Sequence, residues 1–272
     1  MSVWPERRRP PVQALMARAV AWLVEPAAPD GGRSWAPPLA PGPPEPAPPG
    51  ATRLEPVPPQ PASPEPTAPH PDPPRPLVAV LGLAPGAGAT TIARAVAARL
   101  AAFDPLRAAI LHTAHSPWAV PASAPAARLA RTLVAAGIGP PRAAGRLCVL
   151  DAGEPLAPLA ASRPAPVVAD LAHGQPADGA IALADHVVLV APPDVEPALA
   201  SAVVTSLRAN GVSASTVLNR ATGDPPPDLG HALAVPESRL AAQLTLACRE
   251  FRGPVAAVAA ELAERSLAEV WR

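Results

Sequence analysis

The 272-residue sequence contains no lysine, so all 22 of its basic residues are arginine. Tyrosine is absent and only two phenylalanines occur, so the core has to be built from valine, leucine, isoleucine and alanine. The 22 basic residues are balanced by 22 acidic ones, which argues against a broad electrostatic grip on nucleic acid. No apolar run reaches the ~18 residues of a membrane span. No signal-peptide pattern is found either, so we expect a cytoplasmic location.

Cysteine is scarce as well. Cys148 and Cys248 stand alone in the sequence, without a C-x-x-C pair and without the spacing of a metal site. Buried thiols in a reducing compartment are the expected interpretation.

The first 76 residues differ in composition from the rest. Residues 1–25 predict a short amphipathic helix, since apolar side chains recur at helical spacing among arginines. Residues 26–76 hold about half of the 44 prolines, and we expect a disordered, semi-rigid linker there. A tethered helix of this kind could dock on a partner protein or lie on an anionic membrane surface. Weak packing on its own domain is the remaining alternative.

The segment 77–272 predicts a three-layer α/β domain, because strand patterns alternate with helical ones. Strands are expected at 77–81, 107–113, 146–151, 167–170, 186–191, 215–219 and 232–235. Helices are expected at 92–100, 124–136, 177–184, 196–210, 237–248 and 254–269. Such connections favour a mostly parallel sheet that binds ligands at the carboxyl ends of its strands.

The stretch 77–100 joins a buried strand, a small-residue turn and a helical pattern. Backbone N–H groups of such a turn, together with the helix dipole, favour an anion. The phosphate-loop motif is G-x-x-x-x-G-K-[ST]. Gly88 and Thr90 fit it, whereas Leu83 and Ala89 stand at the first glycine and at the lysine. A Gly/Ala-rich turn without a ligand therefore stays open as an alternative.

Polar residues follow other strands at the edge where this loop lies. Asp151, Asp170 and Asn219 each end a strand pattern. Asp170 could instead cap the turn that follows it. His112 and His115 have no third ligand in view, so we interpret them as loop histidines, and His173 likewise.

Five segments together resemble the MinD/ParA family of deviant Walker-A P-loop ATPases. The loop A-P-G-A-G-A-T-T, residues 84–91, is similar to that family's K-G-G-V-G-K-T-T. The others are P-V-V-A-D-L-A-H-G at 166–174, A-D-H-V-V-L-V-A-P-P at 184–193, V-L-N-R at 217–220 and A-V-P-E-S at 234–238. They follow the family order and span about 77–268. The resemblance implies a P-loop NTPase-like domain that binds ATP with Mg²⁺ and forms a homodimer or holds a protein partner.

The resemblance also assigns residues to the nucleotide. The phosphates would be lined by Gly86, Ala87, Gly88, Ala89, Thr90 and Thr91. The Thr90 hydroxyl would bind Mg²⁺, and Asp170 would be the catalytic carboxylate near the metal or the attacking water. Asn219, Arg220 and the backbone near Pro236 would sit against the base.

This chain departs from the family at the charged positions. Both lysines of the family loop are alanine here, Ala84 and Ala89, and a family glycine is Pro85, which has no N–H to donate. The acidic end of the family's second strand is His112-Thr113, for which Asp151 could substitute. Because one oxyanion donor contributes about 3 kcal/mol, losing two cations should weaken nucleotide binding and leave hydrolysis slow or absent.

Two functions stay open at this point. The first is a scaffold that places or regulates a partner machine in pilus assembly, secretion or cell division. The family's pilus-localisation branch (TadZ/CpaE-like) also carries G-A-T-T in this loop. The second is an active ATPase switch whose lysines are replaced in trans or by an arginine, for which Arg94 on the first helix is a weak candidate. DNA partitioning is disfavoured by the neutral charge.

Overall fold

The computed structural model describes residues 75–114, 120–171, 177–229, 231–238 and 251–271. Strands within these ranges are β1 Leu77–Gly82, β2 Ala109–Thr113, β3 Arg142–Ala144, β4 Leu147–Asp151, β5 Val167–Leu171, β6 His186–Ala191, β7 Ser213–Ala221 and β8 Leu233–Pro236. Helices are α1 Ala89–Phe103, α2 Ala124–Ala135, α3 Leu156–Ser162, α4 Asp178–Leu183, α5 Pro197–Ala209 and α6 Pro254–Val270, with a 3₁₀ turn at Pro227–Leu229. The predicted N-terminal helix, the linker and most of the helix expected at 237–248 lie outside the described residues.

The strands form one eight-stranded sheet in the order β3-β4-β2-β5-β1-β6-β7-β8. Only the pairing of β3 with β4 is antiparallel, and the other six pairings are parallel. The predicted α/β class with a mostly parallel sheet is therefore confirmed. Strand β1 lies near the middle, between β5 and β6, which is where a ligand loop at its carboxyl end meets several neighbouring strands.

Helices cover both faces of the sheet, as β1 illustrates. Val78 and Val80 point to the face that packs against α1 and α6. Leu77 and Ala79 point to the opposite face, where the apolar side chains of α2, α3 and α5 lie. Since strand side chains alternate between faces, a strand with apolar residues at every position has to be covered on both sides. Among the described residues, no helix combines the length and hydropathy needed to cross a bilayer.

Two elements differ from the sequence-based expectation. Strand β3 is not among the strands expected from the sequence, because its three residues, Arg-Ala-Ala, are too few to show a period of two. Helix α3 is likewise not among the helices expected from the sequence. It has seven residues, of which Leu159 is buried and Leu156 and Ala160 are partly buried against the core. Strand β3 and helix α3 both form through contacts with other parts of the chain rather than through a local sequence pattern.

An ion pair at the amino-terminal edge fixes the start of β1. Arg163 donates to both carboxylate oxygens of Asp185, at 2.7 Å and 3.0 Å. The backbone N–H of Leu77 donates to the same carboxylate at 2.7 Å. One carboxylate thus joins the first residue of β1, the end of α3 and the residue before β6.

We expect Asp185→Ala to lower the free energy of unfolding by about 2 kcal/mol. Hydrogen bonds to a charged group are worth about 1.5–3 kcal/mol each. The Arg163–Asp185 pair contributes less than that, because 30% and 21% of the two side chains is exposed. Urea unfolding followed by circular dichroism measures the change.

The matched control is Asp194→Ala, since Asp194 is exposed and should change the free energy of unfolding by less than about 0.5 kcal/mol. Equal urea midpoints for the two variants would show that the hydrogen bonds of Asp185 add nothing to the free energy of unfolding.

Candidate functional site

A glycine-rich loop joins the carboxyl end of β1 to the first turn of α1. Gly86 and Gly88 have φ values of 70° and 91°, in the left-handed region that glycine enters without strain. Two backbone bonds shape the loop, from Leu83 N–H to the oxygen of Val190 at 2.9 Å and from Ala87 N–H to the oxygen of Ala84 at 3.1 Å. The strand, turn and helix thus follow one another as the motif predicted.

Backbone N–H groups of the first turn of α1 are the donors that the loop would offer to an anion. The N–H groups of Ala89, Thr90 and Thr91 precede the first intrahelical bond, from Ile92 N–H to the oxygen of Gly88 at 3.1 Å. The positive end of the helix dipole lies at the same place. Ala84, Pro85 and Ala89 add no charge to it, so the loop by itself offers an anion only dipoles.

Strand β7 holds the loop from the other side. The side-chain amide of Asn219 donates to the oxygen of Ala87 at 2.8 Å, and the guanidinium of Arg220 donates to the oxygen of Gly86 at 2.6 Å. Two successive residues of β7 thus bind two successive carbonyls of the loop. Pro236 of β8 pairs with Ala221, the residue after Arg220. The three residues that the resemblance placed against the base therefore lie at neighbouring strand ends, and Asn219 and Arg220 contact the loop.

Asp170 lies near the carboxyl end of β5, buried and 1% exposed. It is paired in register with Val80 of β1 on one side and Thr113 of β2 on the other. Val80, Val168 and Leu111 pack under α1, and alternation along the strands puts Asp170 and Thr113 on that same face. The carboxylate therefore lies on the side of the sheet that α1 covers.

One oxygen of this carboxylate is satisfied by the protein. Thr113 Oγ1 donates to Asp170 Oδ2 at 2.7 Å. Oδ1 is buried and has no hydrogen-bond partner among the described residues. A buried carboxylate oxygen without a donor is costly, so Oδ1 is an acceptor that a cation or a donor group would stabilise. Thr113 is therefore the donor that orients Asp170.

Other polar residues at this edge serve the local structure. Asp151 Oδ1 accepts the N–H of Gly153 at 2.8 Å, which closes a turn after β4. His112, interpreted from the sequence as a loop histidine, is instead a buried residue of strand β2, and its Nε2 donates to the carbonyl oxygen of Glu154 at 2.8 Å. His115 and His173 lie outside the described residues.

Arg94 does not point to the loop. It is 5% exposed, and its guanidinium lies 5.7 Å from the centre of the Phe251 ring, at the start of the segment that leads into α6. Such cation–π packing is a structural role.

Within the described ranges, no three His, Cys, Asp or Glu side chains are grouped as metal ligands. The two residues that the resemblance assigned to Mg²⁺ were Thr90, in the first turn of α1, and Asp170.

The sequence did not predict the Thr113–Asp170 bond or the two bonds from β7 to the loop. Both depend on which strands become neighbours, and no local pattern reports that.

Comparison with known proteins gives structures but no sequence relative. No protein-family profile matches the chain, and no curated protein matches it. A ParA family ATPase from Chlorobium tepidum TLS is 15% identical, with a TM-score of 0.47 over 73% of this chain and 99% of that one. A nucleotide-binding protein from Archaeoglobus fulgidus, in complex with ADP, is 14% identical, with a TM-score of 0.42 over 66% and 90%. A proposed plasmid partition protein from Borrelia burgdorferi B31, bound to AMPPNP, is 9% identical, with a TM-score of 0.43 over 72% and 98%.

These solved structures include a ParA family ATPase, and the ParA family is among those that the sequence motifs resemble. Because the identities are at most 15% and the TM-scores are below 0.5, these structures do not establish the function of this chain. The fold follows from the strand order and from the β1–loop–α1 unit.

Proposed function

We propose that this domain is a MinD/ParA-like nucleotide-binding switch that hydrolyses ATP slowly or not at all. In this role it places or regulates a partner machine rather than turning over substrate. The observation that carries the proposal is the loop itself, with left-handed Gly86 and Gly88 and the first-turn N–H groups of α1, next to strands that bear Asp170 and Asn219.

The residues present fit a nucleotide better than they fit rapid hydrolysis. The phosphates would be held by the N–H groups at the start of α1 and by the Thr90 hydroxyl. Bound Mg²⁺ neutralises charge on the β- and γ-phosphate oxygens. Asp170, whose buried Oδ1 lacks a partner among the described residues, would accept from a metal-bound or attacking water. Ala84 and Ala89 leave the loop without the two cations that stabilise the transferring phosphoryl group.

A scaffold role needs a partner surface. Residues 1–25, with the linker 26–76, remain our candidate for it, together with a homodimer face at the nucleotide loop. The second candidate function, an active ATPase switch, is favoured by one observation only, namely that Arg220 places a guanidinium on the loop.

We expect calorimetric titration of the full chain to give micromolar to millimolar binding of ATP and ADP that requires Mg²⁺. Thr90→Ala should remove the Mg²⁺ dependence, because the hydroxyl is then absent. Asp170→Asn should lower any slow phosphate release by ~10-fold or more and leave ADP binding within about 3-fold.

Asp151→Asn is the matched control for these two variants, because Asp151 closes a turn and is exposed. No binding at millimolar nucleotide would refute the proposal, and rapid turnover would favour the active switch instead.

A further inference from the structure

The end of β7 departs from regular strand geometry at one residue. Arg220 has φ 58°, in the left-handed region that arginine rarely enters. The pairing with β8 shifts register at the same point, between Asn219 and Ala221. In a regular strand the side chains of residues 219 and 220 would point to opposite faces of the sheet. The bulge turns them to the same side, and both reach the loop.

The bulge places a guanidinium at the rim of a loop that has lost its own cations. Arg220 binds the carbonyl of Gly86, one of the exposed residues of the loop, at 2.6 Å. A guanidinium has five N–H donors in a planar fork, and the bond to Gly86 uses one of them. The fork matches phosphate oxygens, and its charge does not titrate.

From this geometry we propose that Arg220 is the cation that faces the phosphates of the bound nucleotide, in place of the two absent lysines. The proposal rests on the proposed function and assigns the phosphate contact at that same site. It differs from the role that the resemblance implied for Arg220, which was contact with the base. A strained backbone at a functional position is expected where the surrounding structure holds a side chain in one direction.

In the structure, Arg220 and Asn219 close the loop by binding its carbonyls. A phosphate that accepts from Arg220 would compete with the Gly86 carbonyl for the same guanidinium. Binding of a phosphate chain would then release one of the two bonds from β7 while Asn219 keeps the other. The bond to Gly86 therefore holds the guanidinium in place at the loop until an anion takes it.

The test compares ATP with inorganic tripolyphosphate, which carries the phosphates without the base. Calorimetry on the full chain should show Arg220→Ala weakening both ligands by about 10- to 100-fold, the loss expected for charge-assisted hydrogen bonds. Arg220→Lys should recover most of the affinity for tripolyphosphate, because it keeps the charge. Arg131→Ala, an exposed arginine of α2, is the matched control and should leave both affinities within about 2-fold.

Arg220→Gly separates the charge from the backbone. Glycine accepts a φ of 58° without strain, so this variant should fold at least as stably as the Ala variant and bind tripolyphosphate equally weakly. A variant that loses ATP but keeps tripolyphosphate would overturn the proposal in favour of a base contact. If wild type, Arg220→Ala and Arg220→Gly all bind tripolyphosphate with equal affinity, the assignment of Arg220 to the phosphates is overturned and the proposed function stays intact. Failure of the wild type to bind either ligand would refute the proposed function and this assignment with it.

Discussion

Replacing Gly88 with alanine is expected to lower the free energy of unfolding by about 2–3 kcal/mol and to abolish nucleotide binding. A left-handed φ of 91° costs a side-chain-bearing residue about 1–2 kcal/mol. The added Cβ would also lie 2.2 Å from Nδ2 of Asn219, so the amide has to move. Its bond to the Ala87 carbonyl, at 2.8 Å, is then lost, at about 0.5–1.5 kcal/mol.

Gly86→Ala is the matched control, because it isolates the backbone cost. Gly86 also has a positive φ, 70°, but a Cβ there would meet no atom within 4 Å. We expect it to lose about 1 kcal/mol, from backbone strain alone. The difference between the two variants measures the Asn219 contact, and Asn219→Ser in the Gly88→Ala background should recover part of it. Equal losses at Gly86 and Gly88 would show that the contact has no energetic weight.

Lowering the pH from 6.5 to about 4 is expected to remove about 3 kcal/mol of stability through His186. This histidine begins β6, on the sheet edge opposite the loop, and is 2% exposed. Its Nδ1 lies 2.9 Å from Oγ of Ser213 and its Nε2 lies 3.1 Å from Oγ of Ser215. Arg265 also donates to Ser215 Oγ, at 3.2 Å. The ring is therefore enclosed by neutral hydroxyls and a nearby cation.

Burial lowers the pKa of His186 from 6.5 to about 4, with Arg265 and Arg208 acting in the same direction and Glu269 opposing them. Below pH 6.5 the unfolded chain binds a proton at this position that the folded chain does not. The stabilising contribution of the neutral His186 ring is therefore complete above pH 6.5. It is lost as the pH falls from 6.5 through about 4. A difference of about 2.5 pKa units corresponds to the stated 3 kcal/mol.

The measurement is urea unfolding of the wild type and of His186→Gln at pH 7.5, 6.0 and 5.0. Carboxylates titrate in both proteins, so only the difference between the two stability curves reports His186. The wild type should lose more stability than the variant as the pH falls. Parallel curves would mean that the folded histidine takes up its proton normally.

The β1–loop–α1 unit could be predicted because it is local. An apolar run, a small-residue turn and a helical period follow one another over 24 residues, and each has its own signal in the sequence. The alternation of further strands and helices gave the parallel sheet in the same way. These patterns arise because each strand is covered on both faces, so apolar residues follow one another along the strand in the sequence itself.

The contacts at the site could not be predicted, because they join segments far apart in the chain. Thr113 and Asp170 are 57 residues apart, and Asn219 and Ala87 are 132 apart. The left-handed conformation of Arg220 has no local signal, since glycine, asparagine or aspartate would be the expected residue there. Only the strand order shows which of these residues become neighbours.

Strand β3 closes one edge of the sheet with three residues that run against the direction of their neighbour. An open edge of a parallel sheet presents unpaired N–H and C=O groups to any extended chain, including another copy of the same protein. A very short outer strand offers little to such a chain, and Arg142 at its start is exposed and charged. Two copies of this protein would therefore gain little by joining their sheets edge to edge through β3.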